Sequence, residues 1–136
     1  MERRQFVSQA VLTVAAATAA SHVPAHAAGR HRSADTNVIF TARNPGHWSG
    51  LEKLHVPKLE VSGRTLTVTT PHPMSAEHYI VSHTVVLDGG HYLGRHTFMP
   101  TDKPVSTHEL PDGFKGMVTV TSTCNQHDWW MVRTRV

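Results

Sequence analysis

The chain has 136 residues, 12 histidines, one cysteine and a formal net charge of +3. That length holds one domain, and a small, scattered basic excess is no footprint for nucleic acid. The lone Cys124 cannot close an internal disulfide, so it is apolar filler, a bridge to another molecule, or a metal ligand.

The chain opens with a signal peptide. Residues 1–27 carry the pair Arg3-Arg4 followed by Gln5 and Phe6, an apolar run from Ala10 to Ala20, and Ala25-His26-Ala27 as a small-residue cleavage site. The run is too short to span a bilayer. The paired arginine is similar to the signal of the Tat exporter, which moves proteins already folded around their cofactors. Removing residues 1–27 takes away Arg3, Arg4 and Glu2, lowers the charge from +3 to +2, and leaves a periplasmic or otherwise exported protein with no membrane segment. Residues 28–36 read as a flexible lead-in, and 37–136 as a single domain.

From Asn37 onward, short β-prone runs are broken by Gly, Pro and Asp. The expected strands are 37–41, 58–61, 65–70, 79–87, 91–98, 104–110, 116–123 and 129–135. Leu66-Thr67-Val68-Thr69 and Met117-Val118-Thr119-Val120-Thr121 alternate apolar and polar, which gives each a core face and a water face. Ser62-Gly63-Arg64 and Asp88-Gly89-Gly90 supply glycine where hairpins need positive φ. The pattern reads as an antiparallel β-sandwich.

Histidines fall at the ends of these strands. His55 precedes Val56-Pro57 and is expected to open a strand. His72 stands between Pro71 and Pro73, which fix φ on both sides, and His78 follows six residues later. Cys124 and His127 are separated by two residues, so both can chelate one metal through a tight loop whose N–H groups reach the sulfur.

Imidazole suits iron, copper, nickel and zinc, and thiolate adds a soft, electron-donating ligand. Five donors exceed the four that close a structural zinc site. A square of imidazoles with a thiolate beneath leaves one position open, which suits redox chemistry on a small ligand.

Glu52-Lys53 ahead of His55-Val56-Pro57, Pro71-His72-Pro73-Met74 with Glu77-His78-Tyr79-Ile80, and Cys124-Asn125-Gln126-His127 resemble the superoxide reductases. This is the family of neelaredoxin and the desulfoferrodoxin iron-binding domain, and the resemblance runs from about Glu52 to Trp129. It implies an all-β, immunoglobulin-like antiparallel β-sandwich of about seven strands. It also implies one non-haem iron, with His55, His72, His78 and His127 equatorial and Cys124 axial. The implied reaction is one-electron reduction of superoxide by ferrous iron to hydrogen peroxide.

Lys53 is then the residue that draws superoxide in, and Glu52 the group that occupies the sixth position of oxidised iron. Leu54 separates this pair from His55 by one residue more than the family pattern, so the alternative for Glu52 is a solvated charge pair with Lys53. Asp128 replaces the family glycine after the last histidine, and Asp tolerates left-handed backbone. With a single cysteine there is no second, four-cysteine iron centre, so an external one-electron donor is needed, rubredoxin-like or another small redox protein. The sequence sets no oligomeric state and allows a homo-oligomer.

Two other classes compete. A blue-copper carrier would use Cys124, His127, Met131 and one upstream histidine, which leaves two of His55, His72 and His78 without work. A metal-free immunoglobulin-like interaction module would have no need of Cys124. His47, His83, His91, His96 and His108 are assigned no role, Met74 is expected to fill the core beside the metal loop, and at least one of Trp129 and Trp130 to pack inside.

Overall fold

The computed structural model describes residues 38–136, so the expected signal peptide and lead-in lie outside the described residues. Its strands are β1 (Ile39–Phe40), β2 (Lys58–Ser62), β3 (Thr65–Thr69), β4 (Ile80–Leu87), β5 (His91–Thr97), β6 (Val105–Glu109), β7 (Met117–Cys124) and β8 (Asp128–Arg135). One helical turn, α1 (Glu52–His55), precedes β2.

These strands form a five-stranded sheet, β1-β8-β7-β4-β5, and a three-stranded sheet, β2-β3-β6. All pairings are antiparallel apart from the two-residue β1 beside β8. The all-β sandwich expected from the sequence is the fold observed, with eight strands among the described residues rather than about seven.

The alternation read from the sequence sets which face turns inward. Leu66 and Val68 of β3 meet Val85 and Leu87 of β4 and Val118 and Val120 of β7, and Leu110 closes the cluster. Full burial of each such side chain contributes about 1.5–3 kcal/mol to holding the fold together. A smaller cluster of Ile80, Phe98 and Cys124, with Met74 packed against it, forms at the Cys124 end of β7.

The turns follow their glycines. Gly63 has φ 60° between β2 and β3, a conformation that costs an L side chain energy. Register shifts between Ile80 and Ser82, which leaves Val81 without a partner on β7. This bulge sits two residues beyond the His78 loop and bends β4 where that loop must approach Cys124.

His55 does not open a strand as expected; it ends α1, and β2 begins at Lys58. Glu52, Lys53 and Leu54 are good helix formers, and the Val56 N–H closes the turn on the Glu52 carbonyl at 2.9 Å. Pro57 then forces Val56 into extended backbone (φ −69°, ψ 121°) and stops the helix.

Candidate metal centre

Four segments deliver five side chains to one point. One donor atom from each of His55, His72, His78, Cys124 and His127 lies within 4.8 Å of all the others, and no further His, Cys, Asp or Glu of the described residues joins them.

Each donor is aimed by its local chain. The helical turn lets His55 Nδ1–H donate to the Leu51 carbonyl at 2.9 Å, which leaves Nε2 bare and turned inward. His72 is held between its two prolines, its N–H bonded to the Thr70 carbonyl at 2.7 Å. Ser75 shapes the next turn, accepting the His78 N–H on Oγ at 3.1 Å while its own N–H donates to the His78 carbonyl at 2.9 Å.

Asn125 and Gln126, the residues between Cys124 and His127, stitch the two loops together. Asn125 accepts the Tyr79 N–H at 3.0 Å and donates to the Glu77 carbonyl at 3.0 Å, and Gln126 donates to that carbonyl at 2.8 Å. The position of His78 is therefore tied to that of Cys124 and His127.

His127 is fixed from behind. Trp130 is fully buried, donates its indole N–H to the His127 carbonyl at 2.8 Å, and stacks on His55 with ring centroids 5.4 Å apart. Asp128 takes φ 61°, the left-handed turn that the sequence allows, and its carboxylate accepts the Trp48 indole N–H at 2.9 Å. Trp48 in turn meets the His127 ring edge-on at 4.6 Å.

The spacing of the donors suits a metal. His55 Nε2 to His127 Nδ1 is 3.0 Å, His127 Nδ1 to His78 Nε2 is 3.0 Å, and His78 Nε2 to His72 Nε2 is 3.1 Å. Metal–imidazole bonds of about 2.1 Å meeting at right angles set neighbouring nitrogens about 3.0 Å apart. The three contacts run in order from His55 through His127 and His78 to His72, each at the spacing of adjacent ligands on one metal. Cys124 Sγ approaches from one side, 3.2 Å from the His78, 3.6 Å from the His127 and 4.0 Å from the His72 nitrogen.

Electrostatics agree with that reading. Burial, followed by the charge of neighbouring His55 and His78, lowers the His72 pKa to about 4. Burial is also the first cause that lowers His55 and His127. Neutral rings present the lone pair a metal requires, and positive charges so close disfavour protonating all of the rings at once. His72 Nδ1, facing away from the cluster, is buried with no hydrogen-bond partner; the Pro73 backbone favours the charged ring but does not reach bonding geometry.

Glu52 and Lys53 stand apart from the five. Glu52 lies three residues before His55 on the helical turn and so on its side, but its carboxylate accepts the Gly50 N–H at 3.0 Å. That bond is part of what lowers its pKa, after the bond to its own backbone. Lys53 is exposed and leaves the turn on a different face from His55.

Met131 pairs with Thr121 and sits on the outer face of its sheet, whereas Cys124 and Trp130 face inward. A copper site using Cys124 and Met131 together would need both on one face. Trp48 and Asn125 are contributors that motif reading passed over; the spacing of Asn125 between two donors was the available signal.

The two-sheet β-sandwich gathers four imidazoles and one thiol into a cluster able to hold a metal, which sets the class of protein. A family model for desulfoferrodoxin matches residues 47–133, and the chain belongs to that family. Among solved structures, the superoxide reductase (neelaredoxin) of Ignicoccus hospitalis is 26% identical, with TM-score 0.63, over 73% of this chain and 94% of that one. The superoxide reductase (neelaredoxin) of Archaeoglobus fulgidus in the reduced form is 25% identical, with TM-score 0.56, over 62% of this chain and 89% of that one. The Giardia intestinalis superoxide reductase, at 22% identity and TM-score 0.55, shares the fold over 62% of this chain and 99% of its own. No curated protein sequence matches the chain.

Proposed function

We propose that this protein is a superoxide reductase with one non-haem iron held by His55, His72, His78, His127 and Cys124. The observation that carries the reading is the run of four ring nitrogens, successive ones 3.0–3.1 Å apart, with the Cys124 sulfur 3.2–4.0 Å from three of them. Iron bound there would supply one electron to superoxide, which takes two protons from solvent and leaves as hydrogen peroxide with its O–O bond intact.

The chain's own residues set the conditions. Cys124 is 3% exposed and packs against Ile80 and Phe98, so its sulfur donates charge from a dry side. A six-coordinate metal held by these five donors would have one position left for a small anion. An external one-electron donor, rubredoxin-like or another small redox protein, would restore the reduced state after each turnover. The signal-like residues 1–27 support export, and so a periplasmic place of work.

Lys53 makes no salt bridge with any described residue, which leaves its charge free to attract an anion. Lys53→Ala is expected to slow the bleaching of the ferrous protein by pulse-generated superoxide by up to about 10-fold at low ionic strength, with the difference shrinking as salt rises. A rate unchanged at low salt removes Lys53 from the account and leaves the metal centre untouched.

A further inference from the structure

Behind the metal centre, a chain of polar side chains crosses between the two sheets. His83 of β4 is fully buried, its Nε2 2.8 Å from Thr70 Oγ1 and its Nδ1 2.9 Å from Ser106 Oγ. Thr70 Oγ1 is also 2.8 Å from Ser122 Oγ, and Ser106 Oγ is 3.0 Å from His108 Nε2. Both ring nitrogens of His83 are satisfied, which is the condition for burying an imidazole without a large penalty.

Thr70 is the branch point. Its N–H donates to the Pro104 carbonyl at 3.0 Å, its carbonyl accepts the His72 N–H at 2.7 Å, and its hydroxyl meets both His83 and Ser122. His72 follows two residues later on the same stiff segment. Ser122 lies two residues before Cys124 on the inward face of β7. The Thr70 hydroxyl thus joins the segment that delivers His72 to the strand that delivers Cys124, and His83 braces it from behind.

We infer that Thr70, braced by His83, is a positioning residue that fixes where His72 and Cys124 stand relative to each other in the metal centre. The inference rests on the metal-centre reading above. A hydroxyl held by two buried partners has little freedom, so its bonds set the separation of two donors that come from distant parts of the chain.

The test compares the wild type with Thr70→Val, Thr70→Ser and Val118→Ala, each measured for ferrous-iron affinity against a competing chelator and for the thiolate-to-ferric absorption band. Thr70→Val removes the hydroxyl at nearly constant volume and is expected to weaken ferrous-iron binding about 10-fold and displace the band. Thr70→Ser keeps the hydroxyl and is expected to hold both near wild-type values. Val118→Ala opens a cavity in the main core and is expected to lower Tm with affinity and band unchanged. If Thr70→Val lowers Tm alone, or if Val118→Ala moves affinity and band equally, the positioning role is overturned while the metal centre stands. A wild-type chain that takes up no iron overturns both. Should Thr70→Val fail to fold, Ser122→Ala breaks the other end of the bridge and is read by the same two measurements.

Discussion

Cys124→Ser is expected to abolish the thiolate-to-ferric absorption band and to weaken iron binding by more than about 100-fold. Partners behind a metal ligand cost 10–100-fold when lost, so a ligand itself costs more. Serine offers a hard oxygen that stays protonated at neutral pH, in a pocket lined by Ile80, Phe98 and Met74 that gives no help to an ionised alkoxide. The metal-free fold should change little, because the substitution is nearly isosteric. Iron content measured on purified variant and wild type checks this. Equal iron content in both would mean that Cys124 is packing only, as a metal-free interaction module requires.

Acid is expected to destabilise the metal-free protein well above the range where carboxylates titrate. Burial, aided by the charges of His108 and His96, lowers the His83 pKa from 6.5 to about 3. Between those values the unfolded chain binds a proton that the folded chain refuses. Stability therefore falls as pH drops below about 6.5 and levels off only near pH 3. The slope from this one group approaches ~1.4 kcal/mol per pH unit. His55, His72 and His108 are shifted downward as well and steepen it in the same direction. Urea unfolding of the metal-free chain at pH 6.5 and 4.5 should show wild type losing about 2–3 kcal/mol more than His83→Gln, which keeps a hydrogen-bonding side chain without the titration. Parallel losses in the two proteins would show that His83 is not held neutral by its surroundings.

What could be read from the sequence, and what could not, divides along physical lines. The strands were legible because alternation and turn glycines are local signals, as in Leu66 to Thr69 ahead of the sandwich core and Gly63 at a hairpin. The five clustered side chains were legible because proline-flanked His72 and the short Cys124–His127 spacing are also local. The helical turn at Glu52–His55 was not, since four residues give no periodicity and the following Pro57 suggested extended chain throughout.

His83 was passed over for a related reason. Beyond the bulge at Val81 the register is regular, with Ser82 beside Thr123 on the outer face and His83 beside the inward-facing Ser122, yet both are buried, so no polar-out, apolar-in alternation marks His83 as a core residue. The Trp48 contacts with His127 and Asp128 are hidden by 80 residues of intervening chain, a separation that no local pattern bridges. The sequence thus displayed the donors and concealed the scaffold that aims them.

The account turns on what the five side chains hold, and metal analysis with the optical spectrum of the purified oxidised protein tests that most directly. One iron per chain with a thiolate-to-ferric charge-transfer band is the predicted result. Copper with an intense blue band, or a folded chain carrying no metal and needing none, would contradict it.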